Sequence, residues 1–192
     1  DHCHPKYLET FVLPLIADPK RLLLDMARQR SVDDLLRLVV RRLAESPRLA
    51  LARIWLIKPG EGCATCPMGA ECPDRTSCLH LVASAGSSTL NPDDRLARLD
   101  GAFRRFPIGV RKVGRIAATG QPIEVPDLAQ APEWIVRPEW IRAEGIQGFG
   151  GQLLLQLGVA GLGVAGQRGL HFLVRRRHLA LDAFDAGLQL LA

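Results

Sequence analysis

Residues 49–57 read LALARIWLI, a nearly continuous apolar run closed by Lys58-Pro59-Gly60. A segment of that length and composition sheds water on both sides only inside a sheet, so it predicts a central strand buried on both faces. Further on, Leu79, Leu81, Ala83 and Ala85 alternate with His80, Val82 and Ser84. Alternation with a period of two predicts a second, half-buried strand. Between the two lies CATCPMGAECPDRTSC, residues 63–78, which holds Cys63, Cys66, Cys72 and Cys78, four of the five cysteines in the chain.

The other elements follow from periodicity and punctuation. Val32, Leu35, Leu36, Val39, Val40 and Leu43 recur at helical spacing after Ser31, a capping residue with Asp34 in the capping-box position, and Pro47 forbids continuation. A preceding helical stretch around Leu22, Leu23, Leu24 and Met26 breaks at Ser31. FRRFPI reads as a short edge strand, because Pro107 cannot donate to a ladder. Val110, Val113, Ile116 and Ala117 then share one side of a second helix, with Gly120 placed to cap its C-terminus. QPIEVPDL is a strand bounded by prolines, and PEWIVRPEWI repeats Pro-Glu-Trp-Ile at a period too short for a solenoid. QLLLQLGVAGLGVAG suggests two Gly-rich strands joined by a turn, and ALDAFDAGLQLLA the opening of a last helix. The order predicts an α+β fold with a central antiparallel sheet and helices packed on it.

At 192 residues the chain has room for one ordinary domain, read as residues 21–192 after an N-terminal extension over 1–20. It begins at Asp1 and stops within an amphipathic pattern, so the expectation is a domain excised from a longer protein, its final helix truncated. No signal-peptide pattern opens it, and the stretch 153–166 is too short and Gly-rich to span a bilayer, which predicts a cytoplasmic domain without a membrane partner. The net charge of +5 is scattered and not interleaved with aromatic residues, so a solvated basic face is expected and direct nucleic-acid contact is not.

With these elements in place the sequence resembles a GAF domain, the PAS-like fold that senses small molecules and cofactors. The resemblance is carried by RSVDDLLRLVVRRLAESPRLALARIWLI, by LHLVASAG and by FPIGVRKVGRIAATGQPIEVPDL. The cysteine loop, taken as residues 60–78, is similar to that of GAF domains at the N-terminus of bacterial sigma-54-dependent transcriptional activators. This resemblance implies a signal-sensing input module for an AAA+ ATPase and a DNA-binding domain further along. It implies a ligand pocket drawing on Phe106, Arg111, Lys112 and the Trp134–Trp140 region. The segment 153–180, with HFLVRRRHLA, departs from the usual closing hairpin of these domains.

The loop spacing is C-x2-C-x5-C-x5-C. Four thiolates suit either tetrahedral zinc or an iron-sulfur cluster, and in a reducing compartment free or reversibly oxidised thiols are the third reading. A cluster would make the loop a redox or gas sensor, and zinc would make it a staple beside an independent pocket. Pro67 and Pro73 stiffen the loop by following Cys66 and Cys72 directly. His80 is a substitute ligand by proximity and an exposed strand residue by alternation, while His2, Cys3 and His4 read as a frayed terminus. GLGVAG matches a dinucleotide fingerprint but opens no helix within a βαβ unit. No nucleophile elbow, HExxH or P-loop is present, so no enzyme is expected. Two other readings stand beside the sensor: a homodimerising module that pairs through terminal helices and carries structural zinc, and a GAF-like methionine sulfoxide reductase with Cys66, Cys72 or Cys78 as nucleophile.

Overall fold

The computed structural model describes residues 16–91, 93–94, 96–154 and 169–176. The 49–57 run forms β1 (Leu49–Pro59), and its two apolar faces organise the domain. One face, through Leu49, Ala52 and Ile54, packs with Ala83 and Ala85 against Val40 and Leu43. The other, through Leu51 and Trp55, joins Leu79, Val113, Ile116 and Phe149 in a second core. Each such side chain, fully buried, contributes about 1.5–3 kcal/mol, so β1 anchors two layers at once.

Six strands form one antiparallel sheet: β1, β2 (Ser77–Gly86), β3 (Arg105–Pro107), β4 (Ile123–Val125), β5 (Ile146–Leu154) and β6 (Gly169–Arg176), in the order β3-β2-β1-β6-β5-β4. The fold is therefore α+β with helices against an antiparallel sheet. β3 lies at an edge, where the missing N–H of Pro107 breaks no inner ladder.

Helix α2 (Val32–Ala44) covers the first face, and α1 (Pro19–Ala27) packs on α2. Ser31 caps α2 as its sequence predicts: its Oγ accepts from the Asp34 amide at 3.1 Å and donates to Asp34 Oδ2 at 2.6 Å. Asp25 of α1 and Arg42 of α2, 2.9 Å apart, join the two helices. Over the second face lie α3 (Arg111–Thr119), ended by Gly120 at φ 69°, and the short α4 (Pro138–Ala143). Gly114 lets α3 approach β3 closely, since a Cβ there would stand 2.2 Å from the Pro107 carbonyl oxygen.

The closing hairpin differs from the sequence expectation. Its first strand starts at Ile146, and its partner is GLHFLVRR, which takes in the first six residues of the HFLVRRRHLA stretch that departs from the usual pattern. The physical reason is β1: a strand buried on both faces needs a hydrogen-bonding neighbour on both sides, and β6 supplies the second. Of the two Gly-rich strands and turn expected over 152–166, all beyond residue 154 lie outside the described residues, as do the final helix over 180–192 and the terminal His2-Cys3-His4. Among the described residues no helix is long and apolar enough to cross a membrane.

Candidate functional site

The second face is not filled completely. A cavity of about 190 Å³ remains between the sheet, α3 and α4. Trp55, Phe103, Phe106, Trp140 and Phe149 line it together with Leu51, Met68, Leu128 and Ile146. The rings brace one another: Trp55 meets Phe106 edge-on with centroids 5.9 Å apart, and Phe103 stacks on Phe106 at 6.1 Å.

Four cations enter this apolar space, Arg53 from β1, Arg111 and Lys112 from the start of α3, and Arg137 at the N-cap of α4, and among the described residues that line it there is no carboxylate. Arg111 is the one of the four with a carboxylate partner among the described residues, Glu71 at 2.7 Å. Its backbone sits at φ 57°, a left-handed conformation costing roughly 1–2 kcal/mol in an L-residue, so the chain tolerates strain where this side chain is placed.

Arg53 donates to Ser84 Oγ at 3.2 Å; burial, and then repulsion from Arg137, lower its pKa. A guanidinium in a protein stays charged regardless, so this is a half-buried cation seeking an anion. Lys112 donates to the Trp134 carbonyl and lies 4.0 Å from the centroid of Phe149, and burial pushes its pKa down to about 8. The Arg137 guanidinium stands 5.0 Å from the Phe103 centroid. Cations over ring faces beside apolar walls suit an anion that carries an apolar body.

The cysteine loop borders this cavity. Its neck is held by the Gly60 amide donating to the Thr76 carbonyl at 2.9 Å, and a Cβ on Gly60 would stand 2.0 Å from the Arg75 carbonyl oxygen. Within it two 3-10 turns, Cys63–Thr65 and Gly69–Glu71, end on Cys66 and Cys72, while Cys78 lies buried in β2. All four are free thiols lining one small cavity of about 10 Å³, with Arg75, Arg105 and Pro107 in its wall. Cys63 donates to the Gly60 carbonyl at 3.3 Å and Cys72 to the Asp74 carbonyl at 2.9 Å. Cys78 Sγ is 3.2 Å from His80 Nε2, so His80 is half-buried and not the exposed strand residue that alternation suggested. With the thiols so turned, no group of three or more His, Cys, Asp or Glu among the described residues could hold a metal ion as it stands. Burial pushes the Cys78 thiol pKa up and that of His80 down.

No protein-family model matches the chain, and no curated protein does. Solved structures resemble it. One is the GAF domain of a phosphoenolpyruvate-protein phosphotransferase from Coxiella burnetii, at 18% identity and a TM-score of 0.49, covering 88% of this chain and 83% of that one. Another is the corresponding GAF domain from Acinetobacter, at 15% identity and 0.48, covering 88% and 83%. A third is free methionine-R-sulfoxide reductase from Neisseria meningitidis, solved in complex with its substrate, at 16% and 0.48, covering 83% and 71%. Two of these three are GAF domains, the fold to which the sequence resemblance pointed. All three scores lie below 0.5, so no ligand, activity or partner carries over from these proteins to this chain.

Of the residues proposed from sequence, Phe106, Arg111 and Lys112 line the larger cavity. Trp134 stands behind it, edge-on to Phe149 at 6.1 Å and beneath the Arg115 guanidinium, and the wall tryptophan of that region is Trp140. Sequence reasoning missed Arg53 and Arg137. The signal for Arg53 was present, the one charge within the apolar run 49–57.

Proposed function

We propose that this chain is a signal-sensing domain that binds a compact organic anion with an aromatic-sized apolar body, and that it is the regulatory input of a bacterial transcriptional regulator. The observation that carries the ligand reading is the cavity bearing Arg53, Lys112 and Arg137 among five aromatic rings with no carboxylate among its described lining residues. Its volume of about 190 Å³ is below the roughly 300–1,000 Å³ of drug-sized sites, which favours a small ligand. A carboxylate would be met by the Arg53 guanidinium and the Lys112 ammonium while its apolar body replaces water against Trp55, Phe106 and Phe149.

The regulator assignment rests on the sequence resemblance to the input domains of sigma-54-dependent activators. In that setting, ligand capture between the sheet and α4 biases two arrangements of the domain, and the terminal segments pass the bias to the ATPase and DNA-binding domains.

Thermal unfolding with benzoate, phenylacetate and indole-3-acetate tests the ligand reading, each set against its uncharged amide. The expected outcome is a rise in Tm with at least one carboxylate and none with its amide, lost in Arg53→Gln. Equal shifts with acid and amide, or no shift with any anion, would refute it.

A further inference from the structure

The geometry points to a single zinc ion bound by Cys63, Cys66, Cys72 and Cys78 in the small cavity at the base of the cysteine loop. Four thiols outside any disulfide, contributed by two successive 3-10 turns and by β2, line one small space. Tetrathiolate zinc needs sulfurs about 2.3 Å from the metal and so about 3.8 Å from one another. The turns supply the convergence: the Cys66 amide donates to the Cys63 carbonyl at 3.3 Å, and the Cys72 amide to that of Gly69 at 3.4 Å, so each turn delivers a cysteine as the chain leaves it.

Size separates the metal alternatives. The space among the thiols is about 10 Å³, close to that of one water molecule, so a single ion calls for less rearrangement of the loop than a cluster does. An iron-sulfur cube has eight core atoms and would require the neck to open, yet Gly60 and Arg75 are already in backbone contact there.

Charge is also provided for. Binding proceeds as Zn²⁺ plus four thiols to a tetrathiolate of net charge −2, with four protons released to solvent. Arg105 stands in the cavity wall, close enough to act on the Cys78 thiol, and offsets part of that charge. Asp74, the one acidic residue among those lining the cavity, has its carboxylate engaged by Thr76, accepting from the amide at 2.8 Å and from Oγ1 at 2.7 Å. Cys63 and Cys72 now donate to carbonyl oxygens, acceptors that a thiolate cannot use. Metal binding therefore requires the Cys63 and Cys72 side chains to leave those carbonyls for another χ1 rotamer. His80, with Nε2 at 3.2 Å from Cys78 Sγ, fits as the outer hydrogen-bond donor that fixes the Cys78 thiolate.

The test uses the 192-residue chain, reduced and handled without oxygen, and titrated separately with Zn²⁺ and Co²⁺ under native mass spectrometry, absorption and pH-stat recording. One ion per chain, the intense thiolate-to-cobalt absorption of a tetrahedral S4 site and release of close to four protons are expected. Because loss of an outer-sphere partner alone typically costs about 10–100-fold in metal affinity, Cys66→Ser and Cys72→Ser should each lose about 100-fold or more, and Cys3→Ser should lose nothing. The proposal is overturned if the unaltered reduced chain takes up no zinc, if it is isolated with iron and acid-labile sulfide in near-equal amounts, or if both loop variants bind zinc as tightly as the parent. Titration of the unaltered chain decides between these outcomes even if a variant fails to fold.

Discussion

Lys112 offers the sharpest test of the anion cavity, because burial sets its charge against pH within reach of ordinary buffers. Its pKa is pushed down from 10.5 to about 8. The cause is desolvation, so a bound carboxylate that supplies the missing counter-charge raises it again. If the ammonium form receives the anion, the competent fraction falls from about 0.9 at about pH 7 to about 0.1 at about pH 9, and Kd weakens about tenfold, or about 1.4 kcal/mol. Over the same interval binding takes up protons, which calorimetry in buffers of different ionisation enthalpy detects directly. The ligand-free protein behaves in the opposite sense. Its folded-state pKa lies below the unfolded value, so the unfolded chain binds more protons between about pH 8 and 10.5 and stability rises with pH across that window. Lys112→Met keeps most of the stem, removes the charge and should abolish both slopes while raising Tm near pH 7. Anion binding that falls as steeply with pH in Lys112→Met as in the parent would refute the assignment of this lysine.

Two further predictions concern the frame around the sites. Glu144, buried at the end of α4, accepts from Ser88 Oγ, from the Thr89 amide at 2.8 Å and from Thr89 Oγ1 at 2.9 Å. Glu144→Ala strands the buried Ser88 hydroxyl, while the exposed Thr89 can turn to water, so it should cost about 1–3 kcal/mol in urea unfolding; a loss below about 1 kcal/mol would show that water replaces the carboxylate at Ser88 as well. Gly60→Ala drives a methyl into the Arg75 carbonyl, so it should cost about 1–3 kcal/mol and weaken zinc uptake with all four cysteines intact. Unchanged metal affinity in that variant would show that the neck does not set the ligand geometry.

The sequence was most legible where one physical demand dominated. LALARIWLI could only be a central strand, and Ser31 with Asp34 marked a helix start that the structure reproduces to the hydrogen bond. It was least legible where partnership decided the outcome. GLHFLVRR becomes a strand because β1 needs a second ladder partner, a requirement visible only once the sheet is assembled. The two Pro-Glu-Trp-Ile repeats look alike in sequence. The first closes a 3-10 turn and the second opens a helix, so Trp140 reaches the cavity and Trp134 does not. Arg53 stood out as the one charge within its run, but nothing local to that run says that a cavity lies beside it. Glu144 carried no local signal, because its partners are more than fifty residues away.

The thiol loop and the anion cavity share a wall, and this makes them thermodynamically dependent. Met68, between the two 3-10 turns, is buried in the lining of the larger cavity. Glu71, next to Cys72, holds Arg111 at that cavity's edge. Phe106 lines one cavity and its neighbour Pro107 the other, while Arg105 donates to the Glu61 carbonyl at the loop's neck. A metal that fixes the turns therefore fixes Met68 and Glu71, and an ordered wall costs a ligand less to occupy. Linkage requires the converse with the same factor: if zinc tightens anion binding by a given ratio, the anion must tighten zinc binding by that ratio. Measured against a buffered chelator, zinc affinity with and without a saturating carboxylate should differ by about 5–150-fold, the usual range of such couplings. Met68→Ala should shrink that ratio while leaving all four thiols in place. A ratio of one in the unaltered chain would mean that the loop is a staple whose occupancy the cavity does not register, and the domain would then answer to the anion alone.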